Sequence, residues 1–303
     1  MATILQKGEL FAPETVKDLF SKVGGKSSIA KLCGATPVAF NGNEIFTFSM
    51  EDEVNIVAEG TKKSAGSISV EPIKVVPIKI EYGARVTDEF VYASEEKQLD
   101  ILKAFNEGYA KKVARGLDIM AFHGVNPRTK TASTLIGTNS LDTNTGVSSI
   151  TYSAVDIEEN IESAIATISE NYDVTGMAMS KDFSSTLASL TVNGVKQYPE
   201  LAWGSNPGTV NGLAVDVNST VSFNSSKDKA IVGDFQNAFR WGFAKDIPLE
   251  VIKYGDPDQS GKDLKAFNQV YLRCETYIGW AILDPSAFAR IEEETKTGTD
   301  MQG

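Results

Sequence analysis

Histidine and cysteine are scarce in this sequence, with one histidine and two cysteines among 303 residues. Any Ser-His-Asp or Cys-His arrangement would have to use His123, and neither a Gly-x-Ser-x-Gly elbow nor a cysteine signature accompanies it. We therefore interpret His123 as a capping or packed residue. Cys33 and Cys274 lie too far apart for a disulfide framework, so we expect reduced thiols. The scarcity predicts a protein that is not an enzyme and binds no cofactor and no structural zinc ion.

The sequence also lacks complete motifs for binding a metal ion or a phosphate group. No acidic loop is expected to have calcium spacing, so no metal site is predicted. Gly24–Ser27 resembles the end of a phosphate-binding loop, but the first glycine of that motif falls at Phe20. The preceding residues, Pro13–Phe20, have a helical pattern where the motif needs a strand. A flexible connector is the prediction for this segment.

Long apolar runs and basic patches are absent as well. No run approaches the roughly 18 apolar residues of a membrane span, and Met1–Gly8 lacks the order of a signal peptide. We expect a chain made in the cytoplasm with no membrane partner. The net charge is −11, and clusters of basic residues are no longer than Lys62-Lys63 or Lys111-Lys112. Tight or sequence-specific nucleic-acid binding is therefore disfavoured.

Alternation of period two predicts a long two-stranded ribbon. Its first arm is Val54–Glu59 and its second contains Ile78–Tyr82, and the returning side carries Pro72 and Pro77, which are confined to edge strands. An isolated ribbon is marginal in water, so it needs a partner surface; the alternative is a hairpin folded back on its own domain. The predicted assembly interface comprises Val54, Ile56, Lys62, Lys63, Ile73, Val75 and Ile78.

A long amphipathic helix follows the ribbon. It is predicted to begin after Ser94 and to end near Gly124, a length of roughly 40 Å. Apolar or small residues recur every three or four positions along one face, namely Leu102, Phe105, Tyr109, Val113, Gly116 and Met120.

The remainder has the pattern of a mixed α/β protein. A helix is predicted over Ser153–Glu170, with Ser153 and Asp156 as a capping box, and a second over Lys181–Leu190. Short strands alternate with turns between residues 175 and 252. Two closing strands are predicted, at Asn268–Thr276 and Gly279–Leu283.

The order of several segments resembles one known family. The segments are Val54–Gly60, Ile78–Val86 before the long helix, Ala121–Gly124 at its end, and the closing segments Asn268–Glu275 and Gly279–Phe288. Together they resemble the major capsid proteins of tailed bacteriophages, the Hong Kong ninety-seven-like coat proteins, over nearly the whole chain.

The resemblance implies an α+β phage coat-protein fold with several parts. These are an N-terminal arm (1–36), an extended β-hairpin loop (50–82), a peripheral domain (37–49, 83–172 and 261–296) with a spine helix at about 95–123, an axial α/β domain (173–260) and a C-terminal tail (297–303).

The resemblance also implies a function. Hexamers and pentamers of such a chain would close into an icosahedral shell around the double-stranded DNA of a tailed phage or prophage, contacting the DNA non-specifically. The expected location is the virion, after assembly in the cytoplasm of the host bacterium. Because coat-like features begin within the first few dozen residues, we expect a separate scaffolding protein or a chain supplied already processed, with a portal and a maturation protease. The alternatives are an encapsulin-like compartment shell and, more distantly, a soluble α/β enzyme.

Some members of the family join subunits by an isopeptide bond between a lysine and an asparagine, assisted by a glutamate. The matching residues here are Lys62 or Lys63, Asn268 and Glu275. A carboxylate could take the ammonium proton and leave an amine that attacks the amide and releases ammonia. Alternatively, Asn268 simply starts a strand and Glu275 pairs with Arg273 or with a cation of another subunit.

Overall fold

A computed structural model describes residues 26–50, 54–63, 65–89, 95–245 and 249–294. The helix predicted at Pro13–Phe20 and the N-cap predicted at Ser94 lie outside these residues. The helices are α1 (Ser28–Leu32), α2 (Glu95–His123), α3 (Ile157–Ile168) and α4 (Lys181–Ser189). The strands are β1 (Asn43–Met50), β2 (Ile68–Val75), β3 (Ile78–Thr87), β4 (Ser148–Thr151), β5 (Gly176–Met179), β6 (Thr191–Val192), β7 (Val195–Lys196), β8 (Thr209–Val210), β9 (Leu213–Val217), β10 (Asp228–Gly233), β11 (Phe239–Lys245), β12 (Leu249–Ile252), β13 (Gln269–Ile282) and β14 (Phe288–Glu292).

The long helix is confirmed. α2 has 29 residues, which at 1.5 Å per residue gives about 43 Å. It ends where Gly124 adopts a positive φ of 65°, a conformation that favours glycine. On its predicted apolar face Tyr109, Val113 and Met120 are buried, because that face packs into the core.

A six-stranded mixed sheet, in the order β4-β14-β10-β5-β9-β8, forms the centre of the fold. Both of its faces are covered, so neighbouring residues of one strand enter different cores. On β10, Ile231 packs into a cluster with Phe122 and Trp280, whereas Val232 packs into a second cluster with Phe183 of α4. Two hydrophobic cores therefore share one sheet.

The helices beside this sheet follow the predicted pattern with shorter bounds. In α3 the amide of Asp156 donates to Ser153 Oγ at 3.3 Å, but the helix itself begins at Ile157. α4 begins after Ser180, whose Oγ accepts a hydrogen bond from the amide of Phe183 at 3.1 Å.

One continuous strand replaces the two predicted closing strands. β13 pairs with β3 along one edge and with β11 and β12 along the other. Its alternate residues Val270, Leu272, Cys274, Thr276 and Ile278 are all buried. The prediction of a break at Tyr277 and Ile278 was wrong because β3 and β11 pair with these two residues on opposite edges of β13, and β11 continues the pairing through Gly279.

The predicted ribbon exists, but its strands lie elsewhere in the sequence. β1 pairs with β2 antiparallel along its whole length. Residues 54–58 form neither helix nor strand, and the predicted second arm, Ile78–Tyr82, belongs to β3 in the sheet of β13. The prediction was wrong because period-two alternation shows that a segment can form a strand but does not show which other strand it pairs with.

Two further features limit what the chain can do chemically. Cys33 and Cys274 are free and buried; burial raises the pKa of the Cys33 thiol to about 11 and that of Cys274 to about 12. Among the described residues, none of the helices combines the length and the apolar character needed to cross a membrane.

Candidate assembly surface

The hairpin of β1 and β2 is attached to the molecule at its base. Val75, at the end of β2, is 1% exposed and lies in a small cluster with Val38 and Ala281. The expectation that Val75 is exposed was therefore wrong, since its own chain covers it. Ile73 and Ile78 are half-buried, and Ile73 packs against the same cluster.

Away from its base the hairpin is exposed. Beyond β1, Val54 is 94% and Ile56 97% exposed, and Ile68 at the start of β2 is 62% exposed. Pro72 stands opposite Phe46 in a ribbon of only two strands, so every residue of it is on an edge, where proline is tolerated. Large apolar side chains thus project into solvent on a protruding loop.

The tip of the loop contains the two lysines of the predicted crosslink set. A turn at Gly60, where φ is 82°, precedes them, and Thr61 bonds to the carbonyl of Ala58 through its amide (3.1 Å) and its Oγ1 (2.6 Å). Lys62 and Lys63 are both exposed. They are accessible to another molecule.

Asn268 and Glu275 are not brought together within one chain. Asn268 is exposed, has a φ of 50° and stands just before β13, where its carbonyl accepts a hydrogen bond from the amide of Asp88 at 2.9 Å. Glu275 lies seven residues further along this extended strand, a distance of roughly 23 Å at 3.3 Å per residue. Its carboxylate is 3.0 Å from Lys79 Nζ and 3.5 Å from Arg273 Nε. A reaction that uses both residues would require more than one copy of the chain.

The outer side of α2 offers a second surface. Lys103, Lys111 and Lys112 are exposed there, and so is Gly108. A Cβ placed on Gly108 would meet no heavy atom within 4 Å. The glycine has no packing role within its own chain, although it weakens a helix by up to about 1 kcal/mol relative to alanine.

His123 is a packed residue at the end of α2. Its Nδ1 is 2.8 Å from Asp142 Oδ2, and its Nε2 is 2.8 Å from the carbonyl oxygen of Thr220. The ring is buried, with 4% of its side chain exposed. No described cysteine or serine nucleophile contacts it.

An acidic loop that sequence reasoning missed connects β12 and β13. Asp256, Asp258 and Ser260 stand at alternate positions before Gly261, as at the start of a calcium-binding loop, but Phe267 occupies the twelfth position, where that loop has a glutamate. The calcium-binding pattern is therefore incomplete here, and the expectation that no acidic loop has the full spacing stays a prediction. The D-x-D-x-S-G pattern was the sequence signal that could have revealed this acidic loop.

Arg85 of β3 occupies the centre of this loop. Its Nη2 lies 2.7 Å from Asp256 Oδ1, 2.5 Å from Asp258 Oδ1, 2.6 Å from Ser260 Oγ and 2.9 Å from the carbonyl of Lys262. Hydrogen bonds from this guanidinium lower the pKa of Asp258 below its usual value. Arg85 supplies the positive charge that these oxygens need and ties the loop to β3.

Comparisons with known proteins agree with this architecture. The model of the phage capsid family matches residues 8–292. A solved structure from Mycobacterium phage Ogopogo is 29% identical, with a TM-score of 0.74 over 89% of this chain and 92% of that one. One from Gordonia phage Cozz is 25% identical, with a TM-score of 0.73 over 89% of this chain and 87% of that one. No curated protein matched the sequence.

A more distant structure has the same fold. It is titled as the capsid of an empty GTA particle, is 12% identical and has a TM-score of 0.64 over 89% of this chain and 90% of that one. The predicted α+β coat-protein fold is confirmed, and a structural role rather than an enzymatic one follows from the family. The chain belongs to the phage capsid family and is a major capsid protein that forms a shell.

Proposed function

We propose that this chain assembles as hexamers and pentamers into an icosahedral shell that encloses the double-stranded DNA of a tailed phage or prophage. The observation that supports this most directly is the hairpin loop, where Val54 is 94% and Ile56 97% exposed. An interface with a neighbouring subunit would cover these side chains. Removing one such side chain from water contributes roughly 1.5–3 kcal/mol, and every subunit of a shell repeats the contact.

We assign a separate role in assembly to each of the two predicted domains. The peripheral domain (37–49, 83–172 and 261–296) carries α2 and the hairpin base, while the axial domain (173–260) surrounds the capsomer axis. Val192, Val195 and Trp203 lie in the axial domain and are 52%, 65% and 100% exposed. Such side chains would contact neighbouring copies around that axis.

The proposed cargo is DNA held without sequence preference. A net charge of −11 disfavours tight adhesion between the shell and a polyanion, so packaged DNA would not be immobilised on the inner wall. The further proposed partners are a separate scaffolding protein, a portal and a maturation protease, with assembly in the host cytoplasm. An encapsulin-like compartment would instead contain protein cargo, and the contents of purified particles distinguish the two.

The assembly proposal is tested by placing charge on the loop. We expect the double substitution Val54→Asp and Ile56→Asp to prevent shell formation, because two carboxylates cannot be buried unpaired at an interface. The matched control is Leu135→Asp with Val155→Asp, two apolar side chains that are 78% and 85% exposed outside the predicted interface. Particles are counted by electron microscopy and sedimentation, with any scaffolding partner present, and circular dichroism verifies folding. Normal shells from the loop variant would refute the role of the loop.

A further inference from the structure

Three side chains from distant parts of the sequence converge beside the end of α2. They are His123 of α2, Asp142 of the loop that follows, and Asp228 at the start of β10. His123 Nδ1 and one carboxylate oxygen of each aspartate all lie within 4.8 Å of one another. The cluster plays no part in the assembly surface described above.

The hydrogen bonding of His123 determines which ring nitrogen faces the carboxylates. Nε2 lies 2.8 Å from the carbonyl oxygen of Thr220, and a carbonyl can only accept a hydrogen bond. Nε2 therefore carries a hydrogen. Nδ1 lies 2.8 Å from Asp142 Oδ2, a contact that requires a hydrogen between the two atoms, and 3.6 Å from Asp228 Oδ2; release of that hydrogen leaves an electron pair on Nδ1 that faces both carboxylates.

One of these oxygens has no partner of its own. Asp228 Oδ2 is buried without a hydrogen bond to any described residue, and the side chain of Asp228 is 1% exposed. A buried carboxylate oxygen left in this way costs considerable free energy unless a proton or a positive ion reaches it. The orphaned oxygen faces His123 Nδ1.

The other carboxylate oxygens are already held. Arg290 Nη1 lies 3.1 Å from Asp142 Oδ1, 3.1 Å from Asp228 Oδ1 and 3.1 Å from Glu292 Oε2. One guanidinium thus faces three carboxyl groups, so protons within the cluster balance the remaining negative charge. A metal ion at the point where Nδ1 and the two Oδ2 atoms meet would take the place of those protons.

We propose that His123 Nδ1, Asp142 Oδ2 and Asp228 Oδ2 form a binding site for a divalent transition-metal ion of the zinc class. Imidazole nitrogen with carboxylate oxygen suits zinc better than it suits calcium or magnesium, which prefer oxygen alone. Bonds of about 2.1 Å place tetrahedral ligands about 3.4 Å apart. The 2.8 Å and 3.6 Å separations in the metal-free cluster are close to that value.

The surroundings provide the second layer of contacts that such sites require. A metal-binding histidine donates its other N–H to a carbonyl or carboxylate, as His123 does to Thr220, and ligand carboxylates accept hydrogen bonds of their own, as Arg290 provides. The side chain of Asp142 is 23% exposed, so the ion would enter from that side and would take a water as its fourth ligand. Binding would displace any proton held between Nδ1 and the carboxylates.

The site would join the end of α2 to the central sheet. His123 terminates the helix, whereas Asp228 and Arg290 belong to the adjacent strands β10 and β14. An ion bound there would stabilise the folded subunit in proportion to RT ln(1 + [Zn²⁺]/Kd), since the unfolded chain does not assemble the three ligands.

The test is a titration of the purified full-length chain with zinc chloride. We expect one ion per chain and a higher melting temperature in zinc than in EDTA. Asp142→Asn, at the partly exposed ligand, should weaken zinc binding tenfold or more, and His123→Gln should do the same if it folds. Asp100→Asn, an exposed residue of α2, is the matched control and should bind as the wild type does.

Cobalt provides a readout that reports ligand type. The Co²⁺-loaded chain should show the visible absorption of a low-coordinate nitrogen and oxygen site, without the near-ultraviolet band of thiolate ligation, and the spectrum should persist in a Cys33→Ser, Cys274→Ser variant. Zinc that leaves the melting temperature unchanged, or that binds Asp142→Asn as tightly as the wild type, would refute the site. Shell formation is scored separately, so a failure here leaves the assembly proposal intact.

Discussion

The carboxylate of Glu275 on β13 lies 3.0 Å from the Nζ of Lys79 on β3, the neighbouring strand. This hydrogen bond is the main cause that raises the pKa of Lys79 above its usual value, and Arg273 Nε stands 3.5 Å from the same carboxylate. Glu275 therefore already has two cationic partners in its own chain. A glutamate paired in this way is a poor base for accepting a proton from a lysine of another subunit.

The first prediction concerns covalent joining of subunits. We expect particles boiled in detergent to run as a single monomer band, because Glu275 is engaged by Lys79 and Asn268 lies at the far end of β13. A ladder of higher bands would contradict this expectation. If a ladder appears, Lys62→Arg with Lys63→Arg and, separately, Asn268→Asp should abolish it, because each removes one reactant of the isopeptide bond.

The second prediction compares two glycines. A Cβ on Gly242 would lie 1.7 Å from the carbonyl oxygen of Thr36, so Gly242→Ala should lower the free energy of unfolding by about 3 kcal/mol. Gly108→Ala, in open space on α2, should raise it by about 1 kcal/mol. Denaturant unfolding measures both.

The same Gly108→Ala variant probes the shell. If a neighbouring copy packs closely against α2, the variant gains stability as a free subunit but assembles less well, and electron microscopy would show fewer particles. Equal unfolding free energies for the two alanine variants would contradict the steric interpretation of Gly242.

The third prediction concerns Asp118, a buried carboxylate of α2. It accepts hydrogen bonds from the amides of Ser28 (2.9 Å) and Ile29 (3.2 Å), the first residues of α1, and from Thr220 Oγ1 (2.8 Å). Asp118→Ala leaves these buried donors unpaired and should lower the free energy of unfolding by about 3 kcal/mol. Asp100→Ala, exposed on the same helix, is the control, and a loss of equal size there would show that the effect is one of helix propensity.

The fourth prediction is a dependence of stability on pH at Asp216 of β9. Burial raises the pKa of this carboxyl, but hydrogen bonds from Lys31, Ser28 and Asn206 outweigh it, and the net pKa lies below its usual value. A depressed pKa means that the unfolded chain binds the proton more readily. The contribution of Asp216 is therefore fully present above about pH 4, the ordinary value for aspartate, and is lost as the pH falls through the folded pKa.

The measurement is the difference in unfolding free energy between the wild type and Asp216→Asn. We expect the wild type to be more stable near pH 6 and the difference to shrink below about pH 4. The pair of wild type and Asp100→Asn, treated in the same way, controls for general acid effects. A difference that stays constant from pH 6 to pH 3 would contradict the prediction.

Local signals were enough to predict some elements, and α2 is the best case. Its end at Gly124 and its buried face depend on residues within one or two turns of each other, so the sequence contains the whole signal. A hairpin was predicted in this part of the chain, but its two strands were assigned to the wrong residues. Residues 54–58 alternate as a strand does, yet β1 and β2 pair instead, and register depends on a partner that periodicity does not identify.

The cluster of His123, Asp142 and Asp228, and the position of Arg85 inside the acidic loop, lay beyond local patterns. His123, Asp142 and Asp228 are distant in the chain, and Arg85 is 171 residues from Asp256. No spacing rule connects such residues, because the sheet and the end of α2 bring them together only when the chain has folded.

The sequence by itself determined that this chain has few catalytic side chains, a long amphipathic helix and an ordered series of segments that resemble a capsid protein, since these depend on composition and on neighbours along the chain. Only the tertiary structure decided which strands form the hairpin, that Val75 is buried while Val54 and Ile56 project, and that the buried carboxylate of Asp228 faces His123. Strand pairing and buried charge are set by contacts between distant residues, so the folded chain decides them.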